Sequence, residues 1–445
     1  MNNLLLAKTE KILGNSGGKI FNNLYKLLNS YEEPLEKVTF AYIERYRKPL
    51  LVSPKIRFNY TLSQINEIFK GYSEYSQDNI RNLYLLALSI CGIKVDDELA
   101  LSFINAPKEE SYRYLRVIAT VDNKPITMRV VPNSWGGKDS ILTTNFHLKG
   151  TDIYLEDKKI CTITSWCNLC SINNIAYVSK NLYGENILCV NPLQFCNQEC
   201  KFCLRTQEMY SKNRTDELIN LRADQLCRYI ISELPEVNYQ TLNEFYISTG
   251  RFRDSKHLLN YLESLYINLK EISCNQFDPV SKEHQWFKVS THLLDTEEAM
   301  IQAQKCGVKK YLYPIEIVCD KKRKKYMASQ GVPNNKGDVM FSEIITILDT
   351  ASKVFGKENI EPVLIIGIDT YEDTMSALLQ LKNKGYKTIS YNVYRAYYEE
   401  QLNLYNMSLE EIVDVTEFIK RNFNQGYKQV VDMNNKCVQK SYISI

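Results

Sequence analysis

Residues 196–203 read Cys196-Asn197-Gln198-Glu199-Cys200-Lys201-Phe202-Cys203, three cysteines within eight residues and no fourth beside them. A cuboidal 4Fe-4S cluster that only carries electrons takes four thiolates, so a compact set of three leaves one iron open to another ligand. Gaps of three and two residues let one short loop curl around a cluster and turn all three sulfurs inward, which a helix or strand cannot do. Two plainer readings stand beside this one: a zinc site with a distant fourth ligand, or cysteines that simply pack.

Outward from this loop, the chain alternates short β-branched runs with stretches of helical period, the pattern of βα units on a parallel sheet. Six units can be counted. Ile187 to Pro192 is the first strand and feeds the cysteine loop, with a helix over Ala223 to Glu236. Strands follow at Glu244 to Ser248, Trp286 to Ser290, Lys310 to Ile317, Pro362 to Ile368 and Tyr386 to Tyr394. Their helices are expected at Asp254 to Lys270, Asp295 to Cys306, Phe341 to Phe355, Tyr371 to Lys384 and Leu409 to Asn424. Gly307, Gly356 and Gly385 are the stop signals. The run Pro362 to Ile368 is nearly all apolar, as a strand covered on both faces should be.

The Cys-x3-Cys-x2-Cys spacing with an aromatic residue before the last cysteine, here Phe202, resembles the motif of the radical S-adenosylmethionine (SAM) superfamily. The resemblance implies an α/β fold, a partial (βα)6 TIM-type barrel. It implies a 4Fe-4S cluster on Cys196, Cys200 and Cys203 whose open iron is chelated by SAM. It also implies a reductant such as flavodoxin or ferredoxin, and an enzyme in which one electron cleaves SAM to methionine and a 5'-deoxyadenosyl radical that abstracts hydrogen from substrate. The pattern is loosely similar to the biotin-synthase-like side of the superfamily.

In βα barrels chemistry sits at the C-terminal ends of the strands. Ser248-Thr249-Gly250 follows the second strand where the superfamily often has Gly-Gly-Glu; the glutamate is missing, and the segment also reads as an ordinary turn. Glu316 closes the fourth strand and resembles the carboxylates that contact the ribose or amine of SAM. Arg323, within the basic run Lys321 to Lys325, is suited to a carboxylate, although such runs are commonly solvated surface. Gly367 and Asp369 resemble the adenine-binding segment, and Asp369 with Thr370 also reads as a helix cap. Substrate-contact candidates are Ser390, Asn392, Tyr394 and Arg395 on the sixth strand, with His292 as an acid or base.

Residues 1–180 lie outside this resemblance and read as an additional N-terminal α+β domain: helical over 1–110, as at Leu62 to Phe69 and Asn79 to Cys91, and strand-rich over 111–180. Hairpins are expected at Arg116 to Val121 with Ile126 to Val131, and at Asp152 to Leu155 with Lys159 to Thr164. The barrel then spans 181–430 and a tail 431–445. Cys161, Cys167, Cys170 and Cys189 are candidates for a second metal site, zinc or iron-sulfur; the unmatched Cys-x2-Cys pair also fits redox-active thiols or core. Gly136-Gly137-Lys138-Asp139-Ser140 resembles the phosphate loop of ATP pyrophosphatases, but Trp135 stands where that motif needs serine and no helical run follows.

With 445 residues, 44% of them hydrophobic, the chain can bury a large core without disulfides. Thirteen cysteines, no signal-peptide pattern over Met1 to Ile20 and no membrane-length apolar run point to a reducing, cytoplasmic compartment. The net charge of +3 gives no argument for a nucleic-acid partner. The leading expectation is a radical SAM enzyme acting on a small biosynthetic intermediate. A peptide maturase with an N-terminal leader-recognition domain is the alternative, weakened because only Cys437 follows Cys319. A non-catalytic iron-sulfur carrier is the third, and it requires a fourth ligand.

Overall fold

The computed structural model describes residues 57–72, 77–96, 99, 116–121, 124–132, 144–168, 176–180, 186–193, 196, 198, 200–203, 221–235, 237–248, 252–328, 335–396, 403–423 and 443–444. Thr249, Gly250, Cys170 and the 136–140 loop lie outside the described residues. The chain forms two compact units, one from residues 1–170, 395–410 and 430–445, the other from 171–394 and 411–429. No helix among the described residues is long and apolar enough to cross a membrane.

In the first unit, helix α1 (Leu62–Lys70) starts at Thr61, whose hydroxyl accepts from the Gln64 amide while the Gln64 side chain accepts from the Thr61 amide. This reciprocal cap satisfies two amides that the first turn leaves open. Helix α2 (Gln77–Cys91) buries Leu83 through Cys91 and ends at Gly92, φ 81°, where a Cβ would meet the Arg129 carbonyl at 2.6 Å. Six strands follow: β1 (Ile93–Val95), β2 (Arg116–Val121), β3 (Lys124–Pro132), β4 (Phe146–Lys149), β5 (Asp152–Leu155) and β6 (Lys158–Asn168). Their pairings close into a ring, β6-β2-β3-β1-β4-β5-β6, because the first part of the long strand β6 pairs with β5 and the rest with β2. Both expected hairpins are present, with Val121 opposite Lys124 and Leu155 opposite Lys158. A short strand, Ile443–Ser444, adds to β6 at Trp166 and Ser165.

The second unit is a sheet whose strand order follows the sequence. Strand β7 (Ala176–Lys180) lies antiparallel to β8 (Asn186–Val190). From β8 onward every pairing is parallel: β9 (Leu242–Ile247), β10 (Trp286–Ser290), β11 (Val308–Glu316), β12 (Ile360–Ile366) and β13 (Ser390–Val393). Helices α3 (Ala223–Glu233), α4 (Ser255–Ile272), α5 (Glu297–Lys305), α6 (Asp320–Met327) with α7 (Phe341–Phe355), α8 (Tyr371–Asn383) and α9 (Leu409–Asn422) follow the six strands in turn. The result is the six-unit partial barrel. Short polar side chains start the helices: Asp254 accepts from the His257 amide, Thr296 from Ala299 and Thr370 from Asp373. Thr370, and not Asp369, is therefore the cap of α8.

Strand alternation divides the barrel's side chains into two sets. One set, with Phe245, Phe287, Val289, Tyr311, Leu364 and Tyr391, is buried, and the Tyr311 ring lies 5.8 Å from Phe355 of α7. The other set forms rows in register on the inner face. Cys189, Tyr246, Lys288 and Lys310 make one row; Ser290, Leu312 and Glu361 make another; Val363 pairs with Ser390 and Ile365 with Asn392. Tyr246, Ser290, Val363 and Asn392 are only half-buried on this face, between buried neighbours such as Lys288, Leu312 and Glu361.

Candidate functional site

The cysteine loop leaves β8 at its C-terminal end. The Leu221 amide donates to the Pro192 carbonyl at 2.9 Å, tying the return of the chain to its departure. Within the loop, the Cys203 amide donates to the Cys200 carbonyl at 2.9 Å, a tight turn that sets the last two thiols on one bend. Cys200 and Phe202 are buried, while Cys196 and Cys203 are half-buried. Burial pushes the Cys200 thiol well above its ordinary pKa, with the Lys336 ammonium pulling the other way.

Two pieces of the connection between β11 and α7 hold the loop in place. The Lys201 amide donates to the Tyr326 carbonyl in α6 at 2.8 Å, and the Lys336 amide donates to Gln198 Oε1 at 3.3 Å. Gly337, beside Lys336, sits so tightly on the backbone that a Cβ would come within 2.4 Å of the Ala328 nitrogen. Lys336 is itself buried, and its ammonium pairs with the Glu316 carboxylate. Burial opposes the Lys336 charge, but Glu316, helped by the thiols of Cys200 and Cys196, outweighs it and raises the lysine's pKa. The loop of three cysteines thus lies beside a buried cation that the sequence reading did not single out.

Glu316 reaches that position through local strain. The pairing of β11 with β12 slips between Pro314 and Glu316, and Glu316 has φ 62°, a left-handed conformation unusual for a non-glycine residue. The Ile317 amide donates across it to the Ile315 carbonyl at 2.8 Å, a γ-turn of the strained, positive-φ kind. Strain of this sort persists where the surroundings over-determine it. Here the clamp is Arg323.

Arg323, expected from sequence to suit a SAM carboxylate, is engaged by the protein's own backbone. It is fully buried, and its guanidinium donates from Nη1 to the carbonyls of Ile315 (2.6 Å) and Ile317 (2.7 Å), from Nη2 to Lys336 (2.7 Å) and from Nε to Val339 (2.8 Å). Four of its five N–H donors therefore serve main-chain acceptors. It holds both sides of the Glu316 turn and the Lys336 segment together. Asp369 plays a similar part from β12: its carboxylate accepts from the amides of Val318 (2.6 Å) and Cys319 (3.3 Å), and burial raises its pKa to about 6. Ligand atoms of Cys319, Asp369 and Asp373 lie within 4.8 Å of one another, with Asp369 already engaged by those two amides.

Of the remaining candidates, Ser248, His292, Gly367 and Tyr394 follow β9, β10, β12 and β13 of the second unit. The Ser248 amide donates to the Val190 carbonyl at 3.0 Å, beside the cysteine loop's root. Gly367, φ 112°, packs against Tyr394, whose Cβ would lie 3.3 Å from an added Cβ, and the Tyr394 amide donates to Ile366 at 2.7 Å. His292 is buried after β10 and Asn392 is half-buried on the inner face. Arg395 is buried at the start of the 395–410 segment. Cys161 is buried in the first unit, which pushes its thiol to about 12, and Cys189 packs with Ile187 and Tyr246 in the second. Cys167 lies on β6, its side chain outside the described set.

Lower on the inner face is a second polar group, of which sequence reading had singled out only Ser390, as a substrate contact. Lys288 lies 2.8 Å from Glu361 and 4.0 Å from Glu244; Lys310 lies 3.7 Å from Glu244; Trp286 Nε1 donates to Glu244 at 3.2 Å, and Ser390 donates to Glu361. Burial works against the charge on Glu361, but Lys288 keeps its carboxyl below the ordinary range. These residues stand near the N-terminal ends of β9 to β13 and form a charge-balanced floor. No charged one is conspicuous in sequence, because its partner is on another strand.

No family model matches the chain, and no curated protein matches it. Among solved structures it is similar to the FeFe-hydrogenase maturase HydG from Carboxydothermus hydrogenoformans, at 14% identity and TM-score 0.40, over 54% of this chain and 52% of that one. It is similar to Streptococcus suis SuiB bound to S-adenosylmethionine, at 14% identity and TM-score 0.36, over 55% and 51%. A third is coproporphyrinogen III oxidase (HemN) from Escherichia coli, described as a radical SAM enzyme, at 11% identity and TM-score 0.34, over 53% and 52%. The matched part spans about half the length of each of these solved chains. What bears on function is the set of residues at the site itself.

Proposed function

We propose that this chain is a radical SAM enzyme in which Cys196, Cys200 and Cys203 hold a 4Fe-4S cluster and the barrel's inner face receives a small polar substrate. The observation that carries this reading is a loop of three cysteines, rooted at the C-terminal end of the first parallel strand, beside a buried ammonium. The residues fit such a cluster: three thiols supply the donor set, and the Lys336 cation favours the ionised form of Cys200. Bound there, the cluster supplies the electron that cleaves SAM to methionine and a 5'-deoxyadenosyl radical.

The chain's own tasks are orientation and exclusion of water. Phe202, buried before the last cysteine, shields one side of the loop. Glu316, Ser248 and the Gly367 segment present polar and backbone groups at neighbouring strand ends, where SAM's amine, ribose and adenine have to be held. Asn392, Ser290 and Tyr246 line the inner face and offer hydrogen-bonding partners to a substrate. The floor of paired charges closes the lower end, which favours a small molecule over a peptide. A soluble flavin or iron-sulfur protein is the reductant class that fits.

Anaerobic reconstitution with iron and sulfide, followed by reduction with SAM present, tests the reading. Wild type should bind about four irons and release 5'-deoxyadenosine by mass spectrometry, and Cys200→Ala should release none. Equal release from Cys200→Ala, or a wild-type cluster whose spectrum is untouched by SAM, would refute it.

A further inference from the structure

The motif of three cysteines does not require the ion pair beside it. Lys336 is held from three sides: its amide on Gln198 between the first two cysteines, its carbonyl on Arg323, and Gly337 pressed against Ala328. Glu316 is fixed by its turn and by the same arginine. The pair is neutral in sum, but each charge can be removed without the other. The pair stands against the cysteine loop, which the Lys336 amide meets at Gln198 Oε1, between Cys196 and Cys200. Both charges are therefore held close to the cysteines, in a site where burial weakens solvent screening.

We infer that Lys336 raises the reduction potential of the cluster held by Cys196, Cys200 and Cys203, and that Glu316 lowers it. This rests on the cluster reading above. Reduction moves one electron from an external donor, a reduced flavin or iron-sulfur protein, onto the cluster, making it one charge more negative while the donor is oxidised by one electron. No bond breaks and no proton moves. A fixed cation stabilises the reduced form and a fixed anion opposes it, since net charge near the sulfurs is one of the levers on such potentials.

Redox titration of the reconstituted full chain, followed by electron paramagnetic resonance with titanium(III) citrate as donor and no SAM present, decides the matter. Iron and sulfide per chain are measured first. Lys336→Met should lower the ratio of reduced to oxidised cluster about tenfold at the wild-type midpoint, a shift of about 59 mV for one electron. Glu316→Gln should shift the midpoint in the opposite direction, and Lys336→Arg, which keeps the charge, should stay near wild type. Loss of packing alone does not give opposite signs. Shifts of the same sign, or unmoved midpoints with full clusters, would overturn the inference. If Lys336→Met holds no cluster, Glu316→Gln decides alone: an upward shift supports it, and none overturns it. A wild type that takes up no iron removes the cluster reading, and this inference with it.

Discussion

Replacing Arg323 by methionine removes the donors of four main-chain carbonyls, those of Ile315, Ile317, Lys336 and Val339, in a fully buried place. The Ile315 carbonyl keeps the Ile317 amide, and each carbonyl left without a partner costs about 1–3 kcal/mol. Against that, the variant no longer buries a guanidinium, whose charge burial disfavours. The net loss should be about 3–5 kcal/mol, the range for removing one partner from a buried charged arrangement. Arg323→Lys should fall between, because a compact ammonium with three donors cannot span acceptors on both sides of the turn and on Val339. Urea unfolding of the cluster-free chain, followed by circular dichroism, measures the loss, and isothermal titration calorimetry of the reconstituted protein measures SAM affinity. A loss below about 1 kcal/mol together with a tenfold or larger fall in SAM affinity would refute this account and return Arg323 to the cofactor.

Two further expectations concern buried charge. Asp369 has a folded pKa of about 6 against an ordinary 3.8, so the folded state keeps its proton where the unfolded state has lost it. Stability from this group is present below about pH 4 and is lost as pH rises to about 6, roughly 3 kcal/mol in all. Asp369→Asn should flatten that part of the unfolding free energy against pH; an unchanged slope would count against the assignment. On the barrel floor, Lys288→Met should destabilise by about 3–5 kcal/mol by leaving the buried Glu361 without its ammonium, and Lys288→Met with Glu361→Leu should recover part of it. Strict additivity in that double-mutant cycle would mean that the pair is not coupled.

The barrel was legible where local signals agree with the fold. β10 and α7 match the expected bounds to the residue, one an apolar run ending in turn residues, the other an amphipathic run stopped by Gly356. β12 starts and ends two residues earlier than expected, since Gly367 takes a positive φ and Asp369 turns to serve the β11 end. Helix α6 was missed because Lys321 to Lys325 reads as solvated surface; only Arg323 and Met327, one turn apart, are buried in it. Its arginine looked like a ligand for the same reason that it is a good clamp, a planar array of donors. Lys336 and the charged floor residues were illegible for a different reason. Their meaning depends on partners that folding alone brings near: Glu316 and the cysteine loop for the first, other strands of the sheet for the second.

The first unit is assembled from three separate stretches of chain, and its β6 is completed by Ile443–Ser444 pairing with Trp166 and Ser165. On a ribosome, strands β8 to β13 therefore emerge, and can pair with one another, while that edge of β6 is still waiting for its partner. The N-terminal sheet is the earlier one to be made and the later one to be finished.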